Sequence, residues 1–175
     1  MGTLTNVGRD LAGVAGLAAL SVMIGFAINH FSSQPLSMVY QSPQERLQSQ
    51  LAELVAAPPF ESFPVDTIDL NQFHRIVEDR SALIFDARSS LYYGQGHVPG
   101  ALNLSRDHFA RDYLRLRSTM ERAKDRPMVV YCSGGACHDS KMVAQALVSL
   151  GFDHVRIFAG GWDVWTAAGL PTSKG

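Results

Sequence analysis

The alternation of short apolar runs with helical stretches after residue 65 is the feature that most limits the fold of this 175-residue chain. One run, MVVYC at 128–132, is continuously apolar, which is typical of a central strand covered on both faces. Strands are predicted near 65–68, 83–85, 101–104, 128–131 and 155–158, and helices near 70–78, 90–94, 106–124, 140–150 and 162–168. This order indicates an α/β fold with a largely parallel sheet.

A second feature lies at the other end of the chain, where residues 11–28 contain neither a charge nor a proline. A helix of this length spans about 27 Å at about 1.5 Å per residue, close to the hydrocarbon thickness of a bilayer. We expect one transmembrane helix, with residues 1–31 as a single-pass membrane anchor. The alternatives are a cleaved signal peptide and a buried helix of a soluble fold. A single arginine, Arg9, precedes the span. By the positive-inside rule it favours a cytoplasmic N-terminus, with the residues after the span on the extracytoplasmic side.

The segment between anchor and sheet is predicted to be a linker and a short amphipathic helix, residues 32–62, followed by the domain at 63–175. Ser42 and Pro43 suit the N-cap and first position of a helix. Apolar residues then recur at helical spacing, and Pro58 and Pro59 are expected to end the helix. We assign this helix no chemistry. The net charge of −1 argues against a nucleic-acid partner.

The segment with the strongest chemical signal joins the predicted strand 128–131 to the helix after it. The strand ends at Cys132, a loop with Gly134 and Gly135 follows, and an amphipathic helix begins near Ser140. Ligands of open α/β sheets bind outside the carboxyl ends of the strands. Inward-facing amides of a glycine-containing loop and a helix N-terminus both stabilise negative charge. We therefore expect Cys132 to ionise readily and to act as a nucleophile.

Three groups of motifs resemble the rhodanese-homology domain. The first is FDAR at 85–88 with GHVPGALN at 96–103, and the second is VVYCSGG at 129–135. The third combines GF at 151–152, VRIFAGGW at 155–162, Trp165 and GLP at 169–171. The resemblance implies a rhodanese-like three-layer fold with a five-stranded parallel sheet. It also implies a sulfurtransferase, in which Cys132 takes sulfane sulfur from a donor, holds it as a persulfide and passes it to a thiophilic acceptor, without a metal or organic cofactor.

The loop departs from the family pattern. Seven residues separate Cys132 from Ser140, more than the family usually has, and none of them is the arginine that the family usually carries there. Loss of a guanidinium removes a bidentate clamp for an oxyanion. This favours a neutral or protein-bound persulfide donor over thiosulfate.

The candidate catalytic residue is Cys132. The candidate substrate-binding residues are those of the loop and one arginine after the second strand: Ser133, Gly134, Gly135, Ala136, Cys137, His138, Asp139, Ser140 and Arg88. Asp139 and Ser140 are also expected to cap the helix. Cys137 has three interpretations: it resolves a persulfide or sulfenate on Cys132 by forming a disulfide, it is a second sulfur carrier, or it has no chemical role.

Two other functions remain open at this stage. One is a thiol–disulfide redox module using Cys132 and Cys137. The other is a non-catalytic binding module held at the membrane. For the sulfurtransferase, the expected partners are a small-molecule or protein-bound sulfur donor, a thiol acceptor, and a membrane contacted through residues 11–28.

Overall fold

The computed structural model describes residues 3–32, 41–56, 65–135 and 137–175, and side chains from residue 10 onwards within those ranges. It divides into two compact units, Met1–Ser42 and Pro43–Gly175.

The first unit holds helix α1, Thr3–His30. Its stretch Asp10–His30 is long and apolar enough to cross a membrane, and none of it is buried within the protein. A signal sequence near an N-terminus has the same length and composition. The predicted apolar helix is therefore present, and its use as an anchor is treated below as a proposal.

The second unit is built on a five-stranded, fully parallel sheet with strand order β1-β5-β4-β2-β3. The strands are β1 Asp66–Ile68, β2 Leu83–Asp86, β3 Leu102–Asn103, β4 Met128–Tyr131 and β5 Val155–Phe158. The predicted fold class is confirmed, including the central place of the apolar run at 128–131. A strand in this position has neighbours on both edges and must be apolar on both faces.

The remaining helices are α2 Pro43–Glu53, α3 Leu70–Asp79, α4 Ser90–Gln95, α5 Phe109–Arg122, α6 Asp139–Ser149 and α7 Gly161–Ala167. The predicted helices agree with these to within one residue at most ends, with α5 as the main difference. It begins at Phe109 rather than near residue 106, because the Arg106 amide donates a 3.2 Å hydrogen bond to the Ala87 carbonyl. The chain after β3 thus stays bound to the end of β2 before the helix starts.

Alternation along β4 decides which side of the sheet each residue faces. Val129 and Tyr131 pack with α3 and α7, in a core that includes Phe73 and Trp165. Val130 and Cys132 belong to the opposite core, with the buried residues of α5 and α6. Successive side chains of a strand point to opposite faces, so this parity directs the Cys132 sulfur to the α5–α6 side.

Helix α2 belongs to the same compact unit as the sheet. It starts at Pro43 as predicted and ends at Glu53, ahead of Pro58 and Pro59, which lie outside the described residues. Leu51, 2% exposed, and Val55 join the core on the α5 side. The compact unit begins at Pro43. The predicted domain boundary at residue 63 lies outside the described residues and stays a prediction.

Candidate active site

The connection from β4 to α6 forms the candidate site at the carboxyl end of the sheet. β4 ends at Tyr131, Cys132 follows it directly, and α6 starts at Asp139. The residues between them form a loop around the start of α6, where the unpaired amides of the first turn attract negative charge. The structure thus brings together the predicted loop residues that it describes, with Ala136 lying outside the described residues.

The start of α7 fixes the first part of this loop. The Trp162 amide donates a 2.8 Å hydrogen bond to the Cys132 carbonyl, and the Asp163 amide donates one of 2.8 Å to the Ser133 carbonyl. This close approach requires a glycine at position 161, where φ is +62° and a Cβ would lie 2.5 Å from the Cys132 carbonyl oxygen. The predicted GGW motif therefore holds the loop in place.

Two left-handed glycines turn the loop back on itself. Gly134 has φ +124° and Gly135 has φ +56°. After this turn the Cys137 amide donates a 3.1 Å hydrogen bond to the Gly134 carbonyl. The turn directs the chain back towards Cys132, whereas an extended loop of the same length would lead away from it.

Cys132 and Cys137 are joined by a disulfide, with their Cα atoms 6.4 Å apart. Cys132 is 3% exposed and belongs to the α5–α6 core, whereas Cys137 is half-buried and packs against that core. The Cys132 Sγ lies 3.4 Å from the Ser140 Oγ and 3.5 Å from the Cys137 carbonyl oxygen. The sulfur thus has polar neighbours on the α6 side, and it is covered by Cys137 itself.

The expectation that Asp139 and Ser140 cap α6 is wrong. Both are helical residues, and the N-cap position belongs to His138, which makes no side-chain capping bond. The hydroxyl of Ser140 is buried against the Cys132 sulfur, and the carboxylate of Asp139 faces Arg106. The helix starts one residue earlier than the sequence pattern predicted, and this frees Ser140 to contact the cysteine. His138 is exposed.

A cation from outside the loop lies at the start of α6. Arg106, between β3 and α5, places its Nη1 3.8 Å from the Asp139 Oδ1. Both side chains are about two-fifths exposed, so solvent screens this pair. Sequence reasoning looked for a cation between residues 133 and 140 and missed this one. Its position just after the third strand was a signal, because carboxyl ends of parallel strands meet at one edge of the sheet.

Arg88 is held in a buried network rather than extended towards the loop. Its guanidinium donates to Asp86, with the shortest contact 2.6 Å, and also to the Gly96 carbonyl at 2.7 Å. The Tyr131 hydroxyl donates a 2.7 Å hydrogen bond to the same carboxylate. Burial lowers the pKa of Arg88, but attraction to Asp86 outweighs this and raises it above its ordinary value. Burial first, and then the charge of Asp86, raise the pKa of Tyr131.

A cavity of about 350 Å³ opens beside the loop. Arg88 and Trp162 form one wall, with the guanidinium carbon 4.5 Å from the indole centre. Trp165 is buried in the core, whereas Trp162 is half-buried and faces this cavity. The other lining residues are Tyr92, Gln95, Gly96, Ser133 and Asp163. Ser133, which lines the cavity, is the residue that directly follows Cys132.

Comparison with known proteins identifies close relatives of the domain. Thiosulfate sulfurtransferase GlpE of Shewanella oneidensis is 33% identical over 101 residues, which is 58% of this chain and 92% of that protein. Thiosulfate sulfurtransferase GlpE of Coxiella burnetii is 36% identical over 93 residues, which is 53% of this chain and 78% of that protein.

Solved structures agree with the fold. The solution structure of the rhodanese-like domain of Alr3790 from Anabaena has a TM-score of 0.53 at 27% identity, covering 63% of this chain and 80% of that one. A crystal structure of the Alr3790 protein has a TM-score of 0.52 at 28% identity, covering 61% and 91%. Residues 69–168 match the description of the rhodanese-like domain. The chain therefore belongs to the rhodanese-like domain family.

Proposed function

We propose that the domain is a sulfurtransferase that carries sulfane sulfur on Cys132. The observation that carries this proposal is the position of the Cys132 sulfur at the end of the central strand, 3.4 Å from the Ser140 hydroxyl in the first turn of α6. The relatives named thiosulfate sulfurtransferase support it. The proposal concerns the protein with both cysteines reduced, because a disulfide sulfur is not a nucleophile.

In the first step the Cys132 thiolate attacks the outer sulfur of the donor. A bond forms between the two sulfurs, the donor's own bond to that sulfur breaks, and the leaving group departs with the electron pair. The product is a Cys132 persulfide. We propose that the loop amides from Ser133 to Asp139, apart from the Cys137 amide that donates to the Gly134 carbonyl, stabilise its negative charge together with the Ser140 hydroxyl and the N-terminus of α6.

In the second step a thiolate acceptor attacks the terminal sulfur of the persulfide. The bond between that sulfur and the Cys132 Sγ breaks, and the Cys132 thiolate is regenerated. The first step leaves the negative charge on the terminal sulfur of the persulfide, and the second leaves it on the Cys132 Sγ one bond away, so one set of donors around Cys132 serves both steps. The acceptor has to reach the sulfur past Cys137, which covers it in the disulfide.

The charges around the loop favour a donor of low charge. Two arginines beside the loop are each paired with an acid, Arg106 with Asp139 and Arg88 with Asp86. A dianion such as thiosulfate would therefore meet little uncompensated positive charge. We propose that a neutral or protein-bound persulfide is a better donor than thiosulfate.

We further propose that α1 anchors this domain to a membrane, with residues 43–175 on the extracytoplasmic side. Its apolar stretch supports the anchor, and Arg9 ahead of that stretch supports the orientation. Alkaline carbonate extraction of membranes tests the first point, and protease protection in intact cells and opened cells tests the second. Release of the whole chain by carbonate would contradict the anchor.

The disulfide favours a second candidate function, thiol–disulfide exchange without sulfur transfer. Its two cysteines lie five positions apart in one loop, so the pair can cycle between dithiol and disulfide by exchange with an external thiol. This function needs Cys132 and Cys137 equally, whereas sulfur transfer to an external acceptor needs Cys132 alone.

One experiment separates the two functions. The reduced full chain, in detergent micelles, is given polysulfide or thiosulfate, and cyanide is added as the acceptor. Thiocyanate should form with the wild type and with Cys137→Ser, and should be lost with Cys132→Ser. Absence of thiocyanate with every donor, together with reversible oxidation of both thiols, would support the exchange function instead.

A further inference from the structure

The site contains one reactive group that sulfur transfer to an external acceptor does not use, the thiol of Cys137. We propose that Cys137 is a resolving nucleophile that discharges the Cys132 persulfide inside the loop, releases hydrogen sulfide and forms the Cys132–Cys137 disulfide. This inference rests on the proposed function, because it needs a persulfide on Cys132. It adds a second activity: the reduction of sulfane sulfur to sulfide by the chain's own two thiols.

The step balances without any other reactant. The Cys137 thiolate attacks the Cys132 Sγ, the bond between that atom and the terminal sulfur breaks, and the terminal sulfur leaves as HS⁻. Two electrons pass to the sulfane sulfur, which becomes sulfide. The two cysteine sulfurs are each oxidised by one electron and end as the disulfide.

The loop geometry brings the two sulfurs into bonding contact. The Cα atoms are 6.4 Å apart, within the span that a disulfide bridges, and the disulfide is closed in the structure. The turn at Gly134 and Gly135, fixed by the Cys137 amide on the Gly134 carbonyl, returns Cys137 to the end of β4. Attack within a loop of this kind is intramolecular and competes well with an external thiol.

The difference in burial between the two cysteines decides how the disulfide is reopened. Cys132 is 3% exposed, whereas Cys137 is half-buried, so an incoming thiolate reaches the Cys137 sulfur first. Attack there expels Cys132 as the thiolate, beside the Ser140 hydroxyl 3.4 Å away. The nucleophile for the next donor is thus regenerated in place.

The partner that completes the cycle is a dithiol reductant. Its first thiolate forms a mixed disulfide with Cys137, and its second thiolate displaces Cys137 and leaves the reductant oxidised. The reaction that consumes the oxidised chain is therefore a dithiol–disulfide exchange. The reaction that supplies its substrate is any that yields a persulfide or polysulfide.

The test follows one turnover in the absence of added thiol. The full chain in detergent micelles is reduced, freed of reductant under argon, exposed briefly to inorganic polysulfide and desalted. Sulfide is measured before desalting and compared with that from Cys137→Ser, which accounts for sulfide that leaves from the donor, and the mass of the peptide that holds both cysteines is determined. A sample kept under argon without polysulfide controls for oxidation by air. Wild type is compared with Cys137→Ser and Cys132→Ser.

The wild type should release about one equivalent of sulfide more than Cys137→Ser and yield a peptide lighter by two hydrogens, whereas the sample without polysulfide stays reduced. Cys137→Ser should hold its peptide heavier by one sulfur and release that sulfur only when cyanide is added. A wild type that keeps the persulfide beside a free Cys137 thiol would overturn the inference and leave the proposed function standing. A Cys132→Ser chain that gains one sulfur on Cys137, beside a Cys137→Ser chain that gains none, would also overturn it, because the order of the two cysteines would be reversed.

Failure of the proposed function has a different signature. Cys137→Ser would then gain no sulfur on Cys132, and cyanide would yield no thiocyanate from it. A separate trap tests the regeneration step: a dithiol reductant whose second thiol has been removed should remain bonded to Cys137. Recovery of the mixed disulfide on Cys132 would contradict the conclusion, drawn from burial, that the reductant attacks the Cys137 sulfur.

Discussion

The backbone amide of Trp162 donates a 2.8 Å hydrogen bond to the carbonyl oxygen of Cys132, so the first turn of α7 holds the residue that we propose as the nucleophile. The contact requires glycine at position 161, because a Cβ there would lie 2.5 Å from the same Cys132 carbonyl oxygen. The loop and α7 therefore form one structural unit, although 28 residues separate Cys132 from Gly161 in the sequence.

Replacing Gly161 with alanine should disturb this unit. The new Cβ would lie 2.5 Å from the Cys132 carbonyl oxygen and 2.6 Å from the Gly134 nitrogen, and the backbone has a positive φ. We expect a loss of about 2 kcal/mol or more in the free energy of unfolding and a large loss of thiocyanate formation. Urea unfolding followed by tryptophan fluorescence reports on the domain, because both tryptophans lie in α7. Gly94→Ala is the matched control, since its Cβ meets no atom within 4 Å.

Ser140 should matter for the reactivity of Cys132. With the disulfide reduced, its hydroxyl can donate to the Cys132 thiolate 3.4 Å away. Loss of one such bond costs about 1 kcal/mol, so Ser140→Ala should slow alkylation of Cys132 by iodoacetamide about fivefold near neutral pH. The measurement is made in a Cys137→Ser background, which leaves one cysteine. Ser149→Ala, on the exposed end of the same helix, should alkylate at the parent rate. Equal rates for both variants would remove Ser140 from the account.

The pair formed by Arg106 and Asp139 should control the choice of donor. Asp139→Asn frees the guanidinium, so thiosulfate should become a better donor by several-fold at low salt, and the gain should shrink as salt is added. Arg106→Gln should act in the opposite direction on thiosulfate. Neither change should alter kcat/KM for an uncharged persulfide by more than a small factor. Identical effects on both donors would show that the pair acts on loop structure instead of on charge.

Tyr131 links stability to alkaline pH. Its pKa is raised by burial and by Asp86, so the folded protein keeps the proton above the ordinary tyrosine pKa of about 10, where the unfolded chain loses it. The stabilisation from this proton is complete below about pH 10 and declines as the pH rises further. Tyr131→Phe should lose about 1–3 kcal/mol near pH 7, because the hydroxyl bonds to Asp86 and the Val98 amide disappear.

The free energy of unfolding of Tyr131→Phe should fall less steeply at alkaline pH than that of the wild type, because phenylalanine has no proton to lose. The difference between the two proteins should therefore narrow above about pH 10. Urea unfolding at several pH values measures this difference. Tyr92→Phe, at an exposed tyrosine, controls for the loss of a hydroxyl near pH 7. A difference that stays constant with pH would contradict the buried Tyr131–Asp86 contact.

Leu51 tests whether α2 is part of the domain. Its side chain is 2% exposed in the α5-side core, so Leu51→Ala should cost about 2–4 kcal/mol. Gln50→Ala, exposed on the same helix, should cost little. If both variants unfold at the same urea concentration as wild type, α2 contributes nothing to the compact unit and the domain starts closer to residue 63.

Sequence patterns predicted the fold well, because β2, β4 and β5 are short runs of mostly apolar residues and the central strand, β4, is apolar on both faces. They also placed Cys132 at a strand end. They did not reveal the role of α2, since an amphipathic helix shows that one face is apolar but not what covers that face. Pro43 and the spacing of Leu51 and Val55 predicted the helix without its partner α5.

The limits at the site have a similar physical origin. Ser140 was expected as a cap, because the start of a helix is uncertain by a residue and one residue turns a side chain by a large angle. Arg106 comes from a different connection, so no local pattern relates it to the loop. The contact between Cys137 and Cys132 depends on the positive φ of Gly134 and Gly135, which the sequence permits but does not require.

Intact-mass analysis of the reduced Cys137→Ser chain after polysulfide treatment tests the central claim most directly, since Cys132 is then its single thiol. The account predicts that the chain gains the mass of one sulfur atom. When cyanide is added, the chain should lose that mass and thiocyanate should form. An unchanged mass in a chain that shows native tryptophan fluorescence would contradict the account.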